Sequence, residues 1–265
     1  QLSPGGLQGI SAWRYDGTPV VLGERDLRRT ELTSRDIDRQ HYPHYFLKEV
    51  SESPASVEKT LQNRWKIAES DPTLPVTALD ESAVPARVNR ALADGSVRRV
   101  FFIGQGTAGV AALACSHILQ HYLNSPAIQI QALKASEFSG FSMSGEVETG
   151  AMADALVVAI SQSGTTTDTN RAVDMARARG ARTLAIVNRR DSDITFKVDG
   201  VIYTSSGRDI EMSVASTKAF YAQITAGALL GLHIARLKGR RDAAFVSAEL
   251  RRLLDLPGHM RRVLG

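Results

Sequence analysis

Between residues 98 and 203 the chain alternates short, continuously apolar runs with longer stretches whose apolar residues recur every three or four positions. The runs are Arg98–Ile103, Ile128–Leu133, Ala155–Ile160, Arg182–Val187 and Gly200–Tyr203, all of strand length and rich in β-branched or aromatic residues. Helical spacing fills Val110–Leu123 and Thr166–Arg179, and returns in the long apolar stretch Thr217–Leu237. Strands that are apolar on both faces and separated by helices belong to a parallel sheet covered on both sides. The pattern predicts an α/β fold, a three-layer αβα sandwich around a five-stranded parallel sheet. Ligands of such sheets bind beyond the carboxyl ends of the strands, where the strand order reverses.

Upstream the pattern is less regular. Ile10–Tyr15 and Pro19–Val21 flank Asp16-Gly17 and predict a strand, a turn and a strand, followed by the charged stretch Glu24–Arg39. From Tyr45 to Ala68, Leu47, Val50, Val57, Leu61 and Trp65 recur at helical spacing. Pro54 is expected to break that helix, or to open a second one capped by Ser53. Pro72, Pro75 and Pro85 predict a loop leading into a short helix, Ala86–Ala93.

Composition narrows the functional classes. A chain of 265 residues that is 43% hydrophobic can bury one large core. The net charge is +4, and its arginine pairs are scattered rather than interleaved with aromatics, which argues against nucleic acid as a partner. The longest uncharged stretch, Ala219–Ala235, contains Gln223, Thr225 and His233 and is short for a bilayer span. A buried core helix is expected there, and no membrane association. Cys115 is the only cysteine, which fits a reducing cytoplasmic compartment, and its apolar helical setting reads as a buried thiol. His117 and His121 lie four apart on one helix but lack further ligands, so neither a metal nor another cofactor is expected.

Three polar segments sit where predicted strands give way to helices. The first, Ser161-Gln162-Ser163-Gly164 followed by Thr165, Thr166 and Thr167, surrounds a helix start with hydroxyls. Free amides and the positive end of the helix dipole there suit a phosphate or another small oxyanion. No lysine follows the glycine, so the segment is not a nucleotide triphosphatase loop. The second, Gly104-Gln105-Gly106-Thr107-Ala108-Gly109, has the spacing of a dinucleotide fingerprint. An NAD-linked oxidoreductase would need an acidic residue at the end of the next strand, which instead closes on Lys134. The third, Glu211–Phe220, opens the long apolar helix. Ser213, Ser216 or Thr217 could each be a plain helix cap, and the carboxylates of Glu137 and Glu211 could be caps as well.

Together these segments carry a resemblance. SQSG-x-T at Ser161–Thr166, VASTKAF at Val214–Phe220 and ASEF at Ala135–Phe138 resemble the sugar isomerase (SIS) domain. Tyr42–Pro54 is similar to the segment that precedes the first SIS domain in the glutamine–fructose-6-phosphate aminotransferase family, where His44 matches a position near the subunit contact. The resemblance implies a fructose 6-phosphate pocket formed by Thr107 from the first loop, Ser161, Gln162, Ser163 and Thr166 from the second, and Val214 and Ser216 from the third. It also implies a homodimer that works without a cofactor. Ala108 stands where the family has a serine, and Thr165 where it has a glutamate. On this resemblance, residues 1–40 are expected to be the end of a glutaminase-like domain plus a linker, and residues 41–256 an SIS domain. Residues 257–265 would begin a connection to a second SIS domain, which in that family carries the proton-transfer groups. The other class kept open is a non-catalytic module that senses sugar phosphates.

Overall fold

The computed structural model describes residues 9–26, 37–69, 71–143, 145, 148–213 and 215–265. The chain divides into two compact units, Gln1–Asp38 and Arg39–Gly265. In the first, β1 (Ala12–Trp13) pairs antiparallel with β2 (Pro19–Val20) across a turn that places Gly17 at φ +84°.

The second unit is built on a five-stranded sheet. Its strands are β5 (Arg99–Gly104), β6 (Gln129–Lys134), β7 (Ala155–Ser161), β8 (Arg182–Val187) and β9 (Gly200–Tyr203). They lie in the order β6-β5-β7-β8-β9, and every neighbouring pair is parallel. All seven residues of β7, the central strand, are buried. Side chains alternate between faces as the pleat requires. Val100 and Phe102 of β5 join one core with Leu156, Val158 and Ile160 of β7, while Phe101 and Ile103 join the opposite core with Val157 and Ala159. The first core is closed by α1 (Tyr45–Leu61), α2 (Ala86–Ala93), α3 (Thr107–Leu123), α6 (Lys218–Leu237) and α7 (Ala243–Leu264). The second is closed by the short α4 (Ala135–Glu137) with the π turn after it, and by α5 (Thr167–Ala178). This is the three-layer αβα sandwich that the alternation predicts.

The topology fixes where a ligand can enter. From β5 the chain crosses through α3 to β6 on one side, while β7 lies on β5's other side and continues outward through α5 to β8. Right-handed crossovers running in opposite directions place α3 and α5 on opposite faces of the sheet. A crevice therefore opens at the carboxyl ends of β5 and β7.

Upstream of the sheet the structure departs from expectation in two places. First, α1 runs unbroken through Pro54, which is buried where α1 packs on α6 and α7. The Ser51 and Ser53 hydroxyls donate to the carbonyls of Leu47 and Glu49 at 2.8 and 3.2 Å in the turn before the proline. Second, Trp65 lies outside the helix. Gln62 turns extended at ψ 135° and Asn63 adopts φ +60°, which redirects the chain into β3 (Trp65–Ala68). That strand pairs antiparallel with β4 (Asp71–Thr77), so Pro72 and Pro75 fall within a strand of a two-stranded ribbon, where a missing N–H is tolerated. At the other end, α7 continues through Pro257 to Leu264.

Candidate phosphosugar site

The three polar segments converge. A cavity of about 310 Å³ is lined from the β5 end by Gln105, Gly106, Thr107 and Ala108, and from the β7 end by Ser161, Gln162, Ser163 and Thr166. Glu211, Ser213, Ser216 and Gln223 supply its remaining polar wall. Six of the seven residues singled out in the sequence, Thr107, Ser161, Gln162, Ser163, Thr166 and Ser216, thus share one cavity at the switch point of the sheet. The seventh, Val214, lies outside the described residues.

The middle loop is shaped by its own hydrogen bonds. Ser161 Oγ, at the end of β7, accepts from the Gly164 amide at 2.9 Å, and Ser163 Oγ accepts from the Thr165 amide at 3.3 Å. Asn170 Nδ2 reaches back from α5 to the carbonyls of Gly164 and Thr166, at 3.0 and 3.1 Å. Gly164 takes φ +67°, and a Cβ there would lie 2.0 Å from Ser192 Oγ. The position demands glycine for both backbone and space. Thr166 is the N-cap of α5, yet its side chain makes no capping bond. The first amides of such a helix have no partner within it and can meet an anion.

The first loop is similar. Gly106 caps α3 at φ +57° with no side-chain cap. The Gln105 side chain accepts from Ser136 Oγ at 3.4 Å, which links this loop to the start of α4.

The third loop is held from a distance. Glu211 accepts from Ser216 Oγ at 2.8 Å, from the Thr217 amide at 2.8 Å and from the Ala219 amide at 2.9 Å, and so caps α6 with its carboxylate. Glu49, only 2% exposed on α1, accepts from the Ser213 amide at 3.2 Å and from the Thr217 hydroxyl at 3.1 Å. Beside it, buried Lys218 pairs with Glu52, which Lys48 also approaches at 3.6 Å. Sequence reasoning did not single out Glu49. It lies far from the loop in sequence, and only its place in a segment shared with the aminotransferase family marked it.

Among the described residues, no lysine or arginine lines the cavity, and Glu211 is the one acidic group that does. That charge is already met by amides at the mouth of α6. An anion here would be held by the ends of α3 and α5 and by hydroxyls, the arrangement expected for a phosphate ester. The dinucleotide alternative loses ground, because β6 does end on Lys134, which pairs with Glu137 at 3.4 Å. A larger concavity, about 490 Å³, lies between the end of α1 and the last turns of α7, lined among others by Glu58, Trp65, His259 and Arg262. The start of β3 borders it through Trp65, but among the described residues no helix start and no strand of the five-stranded sheet does, so the chemistry favours the smaller cavity. Among the described residues, no group of three His, Cys, Asp or Glu side chains could hold a metal ion, and no helix is long and apolar enough to cross a membrane.

The fold and the cavity together define a doubly wound α/β domain with a small polar cavity at the switch point of its sheet. The SIS domain model matches residues 96–232, and the chain belongs to that family. It is 34% identical over 259 residues to the glutamine–fructose-6-phosphate aminotransferase of Streptomyces coelicolor, an alignment covering 97% of this chain and 38% of that protein. Against the aminotransferase of Corynebacterium diphtheriae the identity is 35% over 249 residues, covering 94% and 35%. The chain therefore spans little more than a third of the length of these relatives. In structure it is similar to the C-terminal domain of glucosamine-fructose-6-phosphate aminotransferase from Francisella tularensis. That superposition has a TM-score of 0.69 at 25% identity and covers 83% of this chain and 56% of the other.

Proposed function

We propose that this chain is the first phosphosugar-binding SIS domain of a cytoplasmic glutamine–fructose-6-phosphate aminotransferase, and that its cavity holds fructose 6-phosphate. The phosphate sits against the Ser161–Thr166 loop and the start of α5, and Thr107, Val214 and Ser216 face the sugar. The observation that carries this reading is the convergence of three hydroxyl-rich helix starts on one cavity that no basic side chain lines among the described residues. In the parent reaction, nitrogen from glutamine and fructose 6-phosphate would give glucosamine 6-phosphate, with aldose–ketose isomerisation by proton transfer next to a carbonyl. The contribution of this domain is positioning and charge stabilisation. Calorimetry with fructose 6-phosphate and with NAD tests the reading. Binding of the sugar phosphate alone is expected, and binding of NAD alone would overturn it.

A second reading, a sugar-phosphate sensor without turnover, draws support from the cavity wall. Glu211, the one titratable group lining it among the described residues, is committed to the mouth of α6. Release of glutamate from glutamine by the whole protein in the presence of fructose 6-phosphate would separate an enzyme from a sensor. Homodimer formation belongs to the same proposal, and the exposed apolar side chains of Val110 and Leu113 on α3, close to Thr107, support it. Sedimentation showing only monomer at high concentration would remove that part.

A further inference from the structure

Gln223 stands out in α6. The helix is apolar from Ala219 to Ala235 apart from the side chains of Gln223, Thr225 and His233; Thr225 finds a partner within the protein and His233 finds one through Nε2, its Nδ1 being buried without one among the described residues. Thr225 Oγ1 donates to the Tyr221 carbonyl at 2.9 Å, and His233 Nε2 meets Asn89 Oδ1 at 2.8 Å. Gln223 is fully buried, yet among the described residues neither its Nε2 nor its Oε1 has a hydrogen-bond partner. It lines the same cavity as Ser161 and Thr166. Ser213 Oγ, on the same wall, is buried and unpartnered as well.

A buried amide with both ends unmet is destabilising, and such local violations of packing logic concentrate at functional sites. The chemistry of the group says what would satisfy it. A phosphate oxygen at neutral pH only accepts, and the helix starts already face it with donors. A sugar hydroxyl both donates and accepts, and a primary amide offers two donors beside an acceptor. We propose that Gln223, assisted by Ser213, reads the hydroxyls of the bound sugar and so distinguishes a polyhydroxylated phosphate ester from a bare phosphate. This inference rests on the phosphosugar reading of the cavity and adds to it a specificity-determining residue on α6, beyond the three polar segments.

The test compares two probes, fructose 6-phosphate and methyl phosphate, by calorimetry on the whole protein, wild type and Gln223→Met. Methionine keeps the length and volume of the side chain while removing the amide. Wild type is expected to bind fructose 6-phosphate at least tenfold more tightly than methyl phosphate. In Gln223→Met, fructose 6-phosphate should weaken at least tenfold and methyl phosphate should stay within twofold, with a ligand-free melting temperature at or above that of wild type. Equal weakening for both probes, no weakening, or a lowered ligand-free melting temperature would each assign the amide a merely structural role and overturn the inference. If wild type binds methyl phosphate and no sugar phosphate, the phosphosugar reading itself falls. If wild type binds both equally, hydroxyl reading is overturned without recourse to the variant.

Discussion

The Glu49 carboxylate accepts a hydrogen bond from the Thr217 hydroxyl at 3.1 Å, joining residues 168 apart in sequence. Through it, α1 fixes the loop that enters α6. The neighbouring bonds from Ser56 to Asp209 and from the Ser205 amide to Thr60 Oγ1 pin the preceding turn to the same helix. The third wall of the cavity is thus hung on an element outside the residues matched by the SIS model.

Removing that carboxylate should loosen the loop. Glu49→Ala leaves the Met212 and Ser213 amides without their acceptor and the Thr217 hydroxyl with Glu211 alone, and a loss of about 2–4 kcal/mol in chemical denaturation is expected. The isosteric Glu49→Gln should lose less stability, yet still weaken fructose 6-phosphate several-fold. Wild-type affinity in Glu49→Ala would mean that the loop does not depend on α1.

Gly164→Ala addresses the middle loop. The added methyl would meet Ser192 Oγ at 2.0 Å and Ser192 Cβ at 2.6 Å, with the backbone at φ +67°. Fructose 6-phosphate binding is expected to drop more than tenfold, with about 1–3 kcal/mol of stability lost to crowding and strain. Unchanged calorimetric titrations would count against the loop as the phosphate seat.

Gly227→Ala tests how closely α3 and α6 approach beneath the site. A Cβ at Gly227 would lie 2.2 Å from the Cys115 sulfur and 3.0 Å from its Cβ. Burial pushes the Cys115 thiol up to about 12, so it is a neutral packing group at working pH. The substitution should cost about 1–3 kcal/mol. Adding Cys115→Ala should return part of that loss, as measured in a double-mutant cycle of denaturation energies.

His233 predicts a pH dependence. Burial, reinforced by the nearby Arg236, lowers its value from 6.5 to about 4, and Asn89 accepts from its Nε2. Above 6.5 the ring is neutral whether folded or unfolded, and this contribution is fully present. Between 6.5 and 4 the unfolded chain takes up a proton that the folded chain refuses, so stability falls as pH falls. The loss amounts to on the order of 3 kcal/mol by the lower end. Denaturation midpoints across that window should show a shallower slope in His233→Gln. Equal slopes would refute the assignment.

Sequence and structure agree where burial dominates and diverge where tertiary contacts do. Ala155–Ile160 and Arg182–Val187 read as strands because central parallel strands are apolar on both faces, and the polar residues that follow them mark their ends. Trp65 misleads because it continues the spacing of Leu61, and nothing local announces the left-handed turn at Asn63. Pro72 and Pro75 mask β4, since a ribbon of two strands makes few demands on backbone donors. In the cavity, the loops were legible because each interrupts an apolar run with hydroxyls. Glu49 was not, because a charged residue beside Lys48 looks like an ordinary surface helix position. Gln223 left one legible trace, a lone amide in an otherwise apolar stretch.

That no lysine or arginine lines the cavity among the described residues has a consequence for how it would respond to acidity. The peptide dipoles and alcohols that face the anion have no ionisation of their own near neutrality, so the pH profile of binding should follow the guest. Affinity for a monoester would then rise with its second deprotonation, near about 6, and level off above it.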